Sequence, residues 1–224
     1  MFEGFTKETG EFLWELRFNN ERPWFLAHKE QYERCLNRPF RALAQESWRL
    51  LSERYPERDF RVHVSRIYRD ARRLFGRGPY KDHLWFSLYT SDKNEGPSFW
   101  FEIGAAGYTY GLGFWSMRPA LMERFRRAVD ANPARFRRLA GEVDRLGWSL
   151  DGEEYKRPKG SHNDALIDAW YNRRWLGVEK RFDLGGEAFT DALPGILCDA
   201  WSELMPMHRF LMEVYLACPG EREK

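Results

Sequence analysis

A chain of 224 residues with a formal net charge of +2, 43% hydrophobic and 17% aromatic, has the material for a sizeable core and is no disordered tail. No segment approaches the roughly 18 uncharged apolar residues of a membrane span, and the opening MFEGFTKETGEF carries acids where a signal peptide carries a basic flank, so neither insertion nor export is expected. Three widely spaced cysteines, Cys35, Cys198 and Cys218, suit neither a disulfide framework nor a zinc knuckle, which makes a reducing cytoplasm the expected setting.

The first third reads as helix. Thr6 is a cap for a run with Phe12, Leu13 and Leu16 on one face. Asn20 is expected to open a second helix, with Pro23 in its first turn and Phe25, Tyr32 and Leu36 along its stripe. Pro39 restarts or kinks it; Phe40, Leu43, Ser47, Leu50 and Leu51 keep helical spacing until Tyr55-Pro56 stops it. From Asp59 the period changes to two. Phe60, Val62 and Val64 alternate with polar residues, and runs at 83–90, 98–103 and 108–114 follow with short connections such as GAAG. Nothing long enough for a crossover helix separates the last three, so an antiparallel sheet is predicted.

Helices resume at Ser116. Asn132-Pro133 is a strong start, Phe136, Leu139, Ala140 and Val143 form the buried stripe, and Gly147 ends it. After the loop EEYKRPKGSHND, Asn163 or Asp164 caps a short helix carrying Leu166, Ile167, Trp170 and Tyr171. Residues 190–217 form an apolar helical stretch broken at Pro206. No repeat or linker interrupts the chain, and the expectation is one α+β domain over 1–224, an antiparallel sheet packed by amino- and carboxy-terminal helices.

FEGFTKETGEFLWELRFNNERPWFLAHKEQYERCLNRPF, the Arg69-Asp70 pair, Pro79-Tyr80-Lys81, Gly111-Leu112-Gly113 with Trp115, and Pro158-Lys159-Gly160 together resemble the family catalogued as domain of unknown function 2461. The resemblance runs in order from residue 2 to about 175; it implies a single α+β domain and no settled activity. The chain departs from the family pattern where Leu74 replaces a hydroxyl residue, Gly76 replaces a carboxylate, and Ser161-His162 replaces Tyr-Asp.

The charge is unevenly spread. Of 36 basic residues 28 are Arg, a bias that serves bidentate anion binding or merely a GC-rich genome. Residues 61–81 are net +6 and 118–138 net +5, so the rest of the chain is acidic. The first segment, with a Gly76-Arg77-Gly78 loop, gathers cations at one end of the sheet; it is either an anion site or a solvated loop with structural ion pairs. The loop KRPKG at 156–160 adds a second set beside a helix amino terminus, as a second wall of the pocket or a surface cap.

The leading expectation is a phosphorylated or carboxylated small molecule bound by Arg66, Arg69, Lys81 and Lys159, with Tyr80 hydrogen bonding or stacking. Tyr80, Trp85 and Trp100 are either walls of that pocket or core. Asp70, the one carboxylate in the basic segment, is the candidate for acid-base chemistry or for a structural pair. The competing reading is nucleic-acid binding along 61–81 and 118–138, and a third is a partner-binding module with a Trp-rich surface. Gly111-Leu112-Gly113 lies inside a strand and is no dinucleotide fingerprint; small residues there let a ring or backbone approach. No nucleophile elbow is present, His63, His83 and His162 lack partners at ligand spacing, and no metal or cofactor is implied.

Overall fold

Local chemistry accounts for the helical start. The computed structural model describes residues 1–70, 72, 77–91 and 95–217. Helix α1 (Lys7–Phe18) follows Thr6, whose backbone N–H donates to the Thr9 hydroxyl at 3.1 Å. Helix α2 (Arg22–Ala27) begins one residue later than expected, with Glu21 at the cap position. Helix α3 (Lys29–Tyr32) leads into a π-helical turn (Glu33–Asn37), then helix α4 (Arg38–Arg54). Pro39 explains the turn. Lacking an N–H, it gives nothing to the Cys35 carbonyl four residues back, and the Thr9 hydroxyl donates to that oxygen instead, at 2.7 Å.

Strands β1 (Arg61–Val64), β2 (His83–Tyr89), β3 (Ser98–Gly104) and β4 (Gly107–Gly113) are followed by helices α5 (Pro119–Ala131) and α6 (Pro133–Arg145). The Asn132 side chain accepts the Arg135 N–H, as the Asn-Pro start predicts. Then come β5 (Ser149–Asp151), α7 (Ala165–Tyr171), β6 (Gly177–Asp183), a 3-10 turn (Gly186–Phe189), α8 (Leu193–Glu203) and α9 (Met205–Leu216). Asp164 caps α7 through the N–H groups of Leu166 and Ile167, and Pro206 stands in the first turn of α9.

The six strands form one antiparallel sheet in the order β1-β2-β3-β4-β6-β5, flanked by helices from both ends of the chain: an α+β fold. Strands β5 and β6 were not among the expected elements. β6 explains the glycines of β4: a side chain at Gly111 would overlap the Val178 carbonyl, and one at Gly113 would lie 2.9 Å from the Gly177 Cα. The close approach is by backbone, not by a ring.

Packing divides the chain into two units. The first comprises Met1–Leu88, Trp100–Tyr110 and Arg181–Asp199. Its core is a cluster of rings, with Phe86 stacked on Phe101 at 5.5 Å, Phe40 edge-on to Phe86 at 5.6 Å, and Phe5 over Phe101. The second comprises Tyr89–Phe99, Gly111–Lys180 and the chain from Ala200 onward. There Phe136 meets Phe125 at 5.2 Å and Trp170 at 5.6 Å, both edge-on, and Phe99 stacks on Trp201.

In β2, Leu84, Phe86 and Leu88 are buried while His83 and Trp85 are half-buried; in β3, Phe101 and Ile103 are buried while Trp100 and Glu102 are half-buried. The period of two therefore leaves one side of β2 and β3 lined with Trp, His and Glu at partial exposure.

Candidate functional site

The basic segment, 61–81, opens with β1 and continues beyond it. Residues 66–69 run antiparallel to 79–82: Tyr68 bridges Tyr80, the Arg69 N–H donates to the Pro79 carbonyl at 2.8 Å, and the Lys81 N–H to that of Ile67 at 2.7 Å. Asn20 fixes this pairing from outside. Its side-chain N–H donates to the Tyr80 carbonyl and its oxygen accepts the Tyr80 N–H, both at 2.9 Å. A side chain at Gly78 would collide with the Asn20 amide and lie 2.5 Å from its backbone oxygen, so glycine is required for the contact.

The ring of Tyr80 is buried, stacked on Phe25 at 4.1 Å and tilted against the exposed Tyr68 at 5.3 Å. Burial, and then Tyr68, push its hydroxyl pKa up. Arg69 donates from Nε to the Tyr80 carbonyl at 2.7 Å and reaches Asp82 at 3.5 Å. Both residues frame the site. Lys81 donates from Nζ to the Arg66 carbonyl at 2.7 Å, which leaves two N–H donors on the ammonium. Burial, followed by the charge of Arg69, lowers its pKa, and Glu102 is close enough to work against them. His63, open to solvent on one side, packs its ring 5.1 Å from Trp85. That desolvation, with the charges of Lys81 and Arg66, holds it below the ordinary imidazole value.

Asp70 has a local partner. Its carboxylate accepts the Arg72 N–H at 3.0 Å and the guanidinium at 3.0 and 2.9 Å, in a pair whose arginine is 88% exposed. Arg77 is exposed; Ala71, Arg73, Leu74, Phe75 and Gly76, like Cys218, lie outside the described residues, and with them the loop's first glycine and the two departures at 74 and 76.

Lys159 belongs to the second unit, its ammonium 4.8 Å over the Tyr155 ring, with Arg126 and Arg174 at 5.3 and 5.5 Å from the same ring. Its loop is tied to α7: the Asn172 oxygen accepts the Lys159 N–H at 2.6 Å, and Asp168 accepts the Ser161 hydroxyl and the His162 N–H at 2.7 Å each. His162 Nε2 and the Tyr171 hydroxyl both meet the Asp130 carboxylate. Across 118–138, Arg126 is turned inward with its side chain 4% exposed, donating to the Tyr171 and Arg173 carbonyls and to Glu123; Arg135 pairs with Glu213 and Arg137 with Asp164. Of the tryptophans, Trp14, stacked on Phe18 at 6.0 Å, and Trp115 are exposed.

Sequence reasoning missed a pair in the middle of the site. His83 Nδ1 lies 3.1 Å from Asp82 Oδ1, each side chain about one-third exposed. The signal was present as Lys81-Asp82-His83, a cation, an acid and an imidazole in succession. Among the described residues no cluster of three His, Cys, Asp or Glu is arranged to hold a metal, and no helix is long and apolar enough to cross a membrane.

The model of the family described as a conserved hypothetical protein, DUF2461, matches residues 8–210, and the chain belongs to that family. No curated protein matches it.

Proposed function

We propose that this DUF2461 protein binds a phosphorylated or carboxylated small molecule beside β1 and β2, with Arg66 and Lys81 as charge partners, Arg69 and Tyr80 as their frame, and Trp85 as the apolar wall. The observation that carries the reading is that His63, packed on Trp85, sits in the field of both Lys81 and Arg66. Among the described residues no carboxylate pairs with Arg66, and the half-buried ammonium of Lys81 retains two donors. A bound anion offsets these charges. An extended nucleic-acid stripe is less favoured, because Arg126, Arg135 and Arg137 are engaged within the chain. The role of Lys159 is a separate proposal, since its ammonium rests on Tyr155. The cytoplasm is the proposed setting, in keeping with buried thiols at Cys35 and Cys198.

Thermal shift with inorganic phosphate at constant ionic strength tests the site. Phosphate is expected to raise Tm in a concentration-dependent way, and Lys81→Ala and Arg66→Ala each to weaken its affinity by about 10-fold or more, the worth of one charge-assisted hydrogen bond. A phosphate response no larger than that of chloride, or variants that respond like the parent, would remove the reading. Lys159→Ala, measured in parallel, weakens the response only if the KRPKG loop contributes to the same ligand.

A further inference from the structure

The Asp82–His83 pair is more than anion binding needs. Arg69, pinned through Nε to the Tyr80 carbonyl at 2.7 Å, approaches Asp82 at 3.5 Å, and Asp82 meets His83 Nδ1 at 3.1 Å. Burial works to raise the Asp82 pKa. The hydrogen bond from His83, its own backbone N–H, and the charges of His83 and Arg69 outweigh burial and hold the carboxylate below its ordinary range. An ionised acceptor at Nδ1 fixes the proton on that nitrogen and leaves the lone pair on Nε2. Gly104 leaves His83 uncovered from β3: a side chain there would begin 3.8 Å from the His83 Cβ. A basic nitrogen oriented by an acid, on a residue two positions along the chain from Lys81 and at the start of β2, is what a general base serving an anion site requires.

Resting on the anion-binding reading, we infer that the site is a phosphomonoesterase in which His83 Nε2 is the general base and Asp82 its positioning residue. Of the two anion classes the phosphorylated one suits a water-activating base, because a phosphoryl group is both anion and electrophile, whereas a carboxylate resists attack by water. Lys81 and Arg66 hold the non-bridging oxygens and offset the charge that builds on them. Water adds to phosphorus as its proton passes to His83 Nε2. The ester P–O bond breaks, the leaving oxygen departs with the bonding pair and takes a proton from solvent, and His83 returns its proton to solvent. The products are an alcohol and inorganic phosphate.

The test uses the full chain and p-nitrophenyl phosphate, with inorganic phosphate binding followed separately by thermal shift. The parent is expected to release p-nitrophenolate; His83→Asn is expected to lose about 10²- to 10⁴-fold in kcat/KM while still binding phosphate. His83→Gln serves if the Asn variant is poorly folded by circular dichroism. Asp82→Asn is expected to lower kcat while KM and phosphate stabilisation stay near the parent's, because an amide no longer selects the imidazole tautomer with its lone pair on Nε2, a split that a purely structural role does not produce. A parent that is stabilised by phosphate yet releases no nitrophenolate above buffer, or a folded His83 variant with parental turnover, overturns the inference. Absence of any phosphate stabilisation removes the anion-binding reading beneath it.

Discussion

Asn20 is the residue whose removal most directly tests how the site is held. Its side chain makes two hydrogen bonds to the backbone of Tyr80, 60 positions away, each 2.9 Å long and partly buried. The two losses are unequal. The Tyr80 carbonyl keeps a donor in Arg69 Nε at 2.7 Å, whereas the Tyr80 N–H loses the acceptor it has in Asn20. One ordinary bond at about 1 kcal/mol, plus an orphaned N–H at about 1 to 3 kcal/mol, puts Asn20→Ala near 2 to 4 kcal/mol. For a chain of this size that corresponds to a fall in Tm of about 4 to 16 °C. Urea denaturation followed by Trp fluorescence reads the loss directly. Asn20→Asp keeps the acceptor for the N–H but sets a carboxylate oxygen against the Tyr80 carbonyl where a donor had been, so it is expected to recover little of the loss. Gly78→Ala supplies the cross-check: its added carbon would lie 2.5 Å from the Asn20 backbone oxygen, which Asn20→Ala does not move, so the double variant is expected to be no better than the worse single. An Asn20→Ala protein within about 0.5 kcal/mol of the parent would refute the clamp, and with it the reason the 66–69 and 79–82 segments hold their register.

Three further outcomes follow from the geometry. Arg126→Met removes a buried fork that serves two carbonyls and Glu123, and is expected to cost about 3 kcal/mol or more in urea unfolding, with Arg126→Lys unable to restore it because an ammonium lacks the fork. Arg72→Ala removes an 88% exposed guanidinium from its pair with Asp70, and is expected to shift Tm by no more than about 4 °C; a larger drop would show that the pair is worth more than an exposed ion pair. His63 is held below its unfolded pKa, so the unfolded chain binds more protons as pH falls through about 6.5, and stability is lost from there down to the folded value. Urea midpoints at pH 7.5 and 5.5 are expected to fall further apart in the parent than in His63→Gln, and phosphate to narrow the gap by favouring the imidazolium.

What the sequence disclosed depends on the range of the interaction concerned. Thr6, Asn132 and Asp164 were legible because a cap acts over three residues, and the alternation of β2 to β4 because a strand with one buried face writes its period locally. Strand β6 reads GVEKRFD, with Val178 and Phe182 its only large apolar residues; its identity as a strand comes from lying against the glycines of β4, a relation between positions more than 60 apart. Asn20 carried the chemistry of a helix cap and was read as one, whereas its partners are atoms of Tyr80. Charge counting across 118–138 is blind in a different way, since a sum of formal charges cannot distinguish a guanidinium turned inward onto carbonyls, as Arg126 is, from one in solvent.

The Asp82–His83 pair sharpens the same point. Neighbours on a strand point to opposite faces, so a sequence reading that extends β2 back through Asp82 separates the two side chains. The chain bends at Asp82, one residue before β2 begins, and the bend removes that constraint and lets the carboxylate reach the imidazole at 3.1 Å. The bend lies beside the Asn20 clamp on Tyr80 and Arg69, which reaches both Tyr80 and Asp82. Loosening Asn20 should therefore disturb the site as well as the fold: in a folded Asn20→Ala protein, which adds no charge, phosphate affinity is expected to fall below the parent's. Equal phosphate affinity in the parent and a folded Asn20→Ala protein would show that the bend is set by β2 alone.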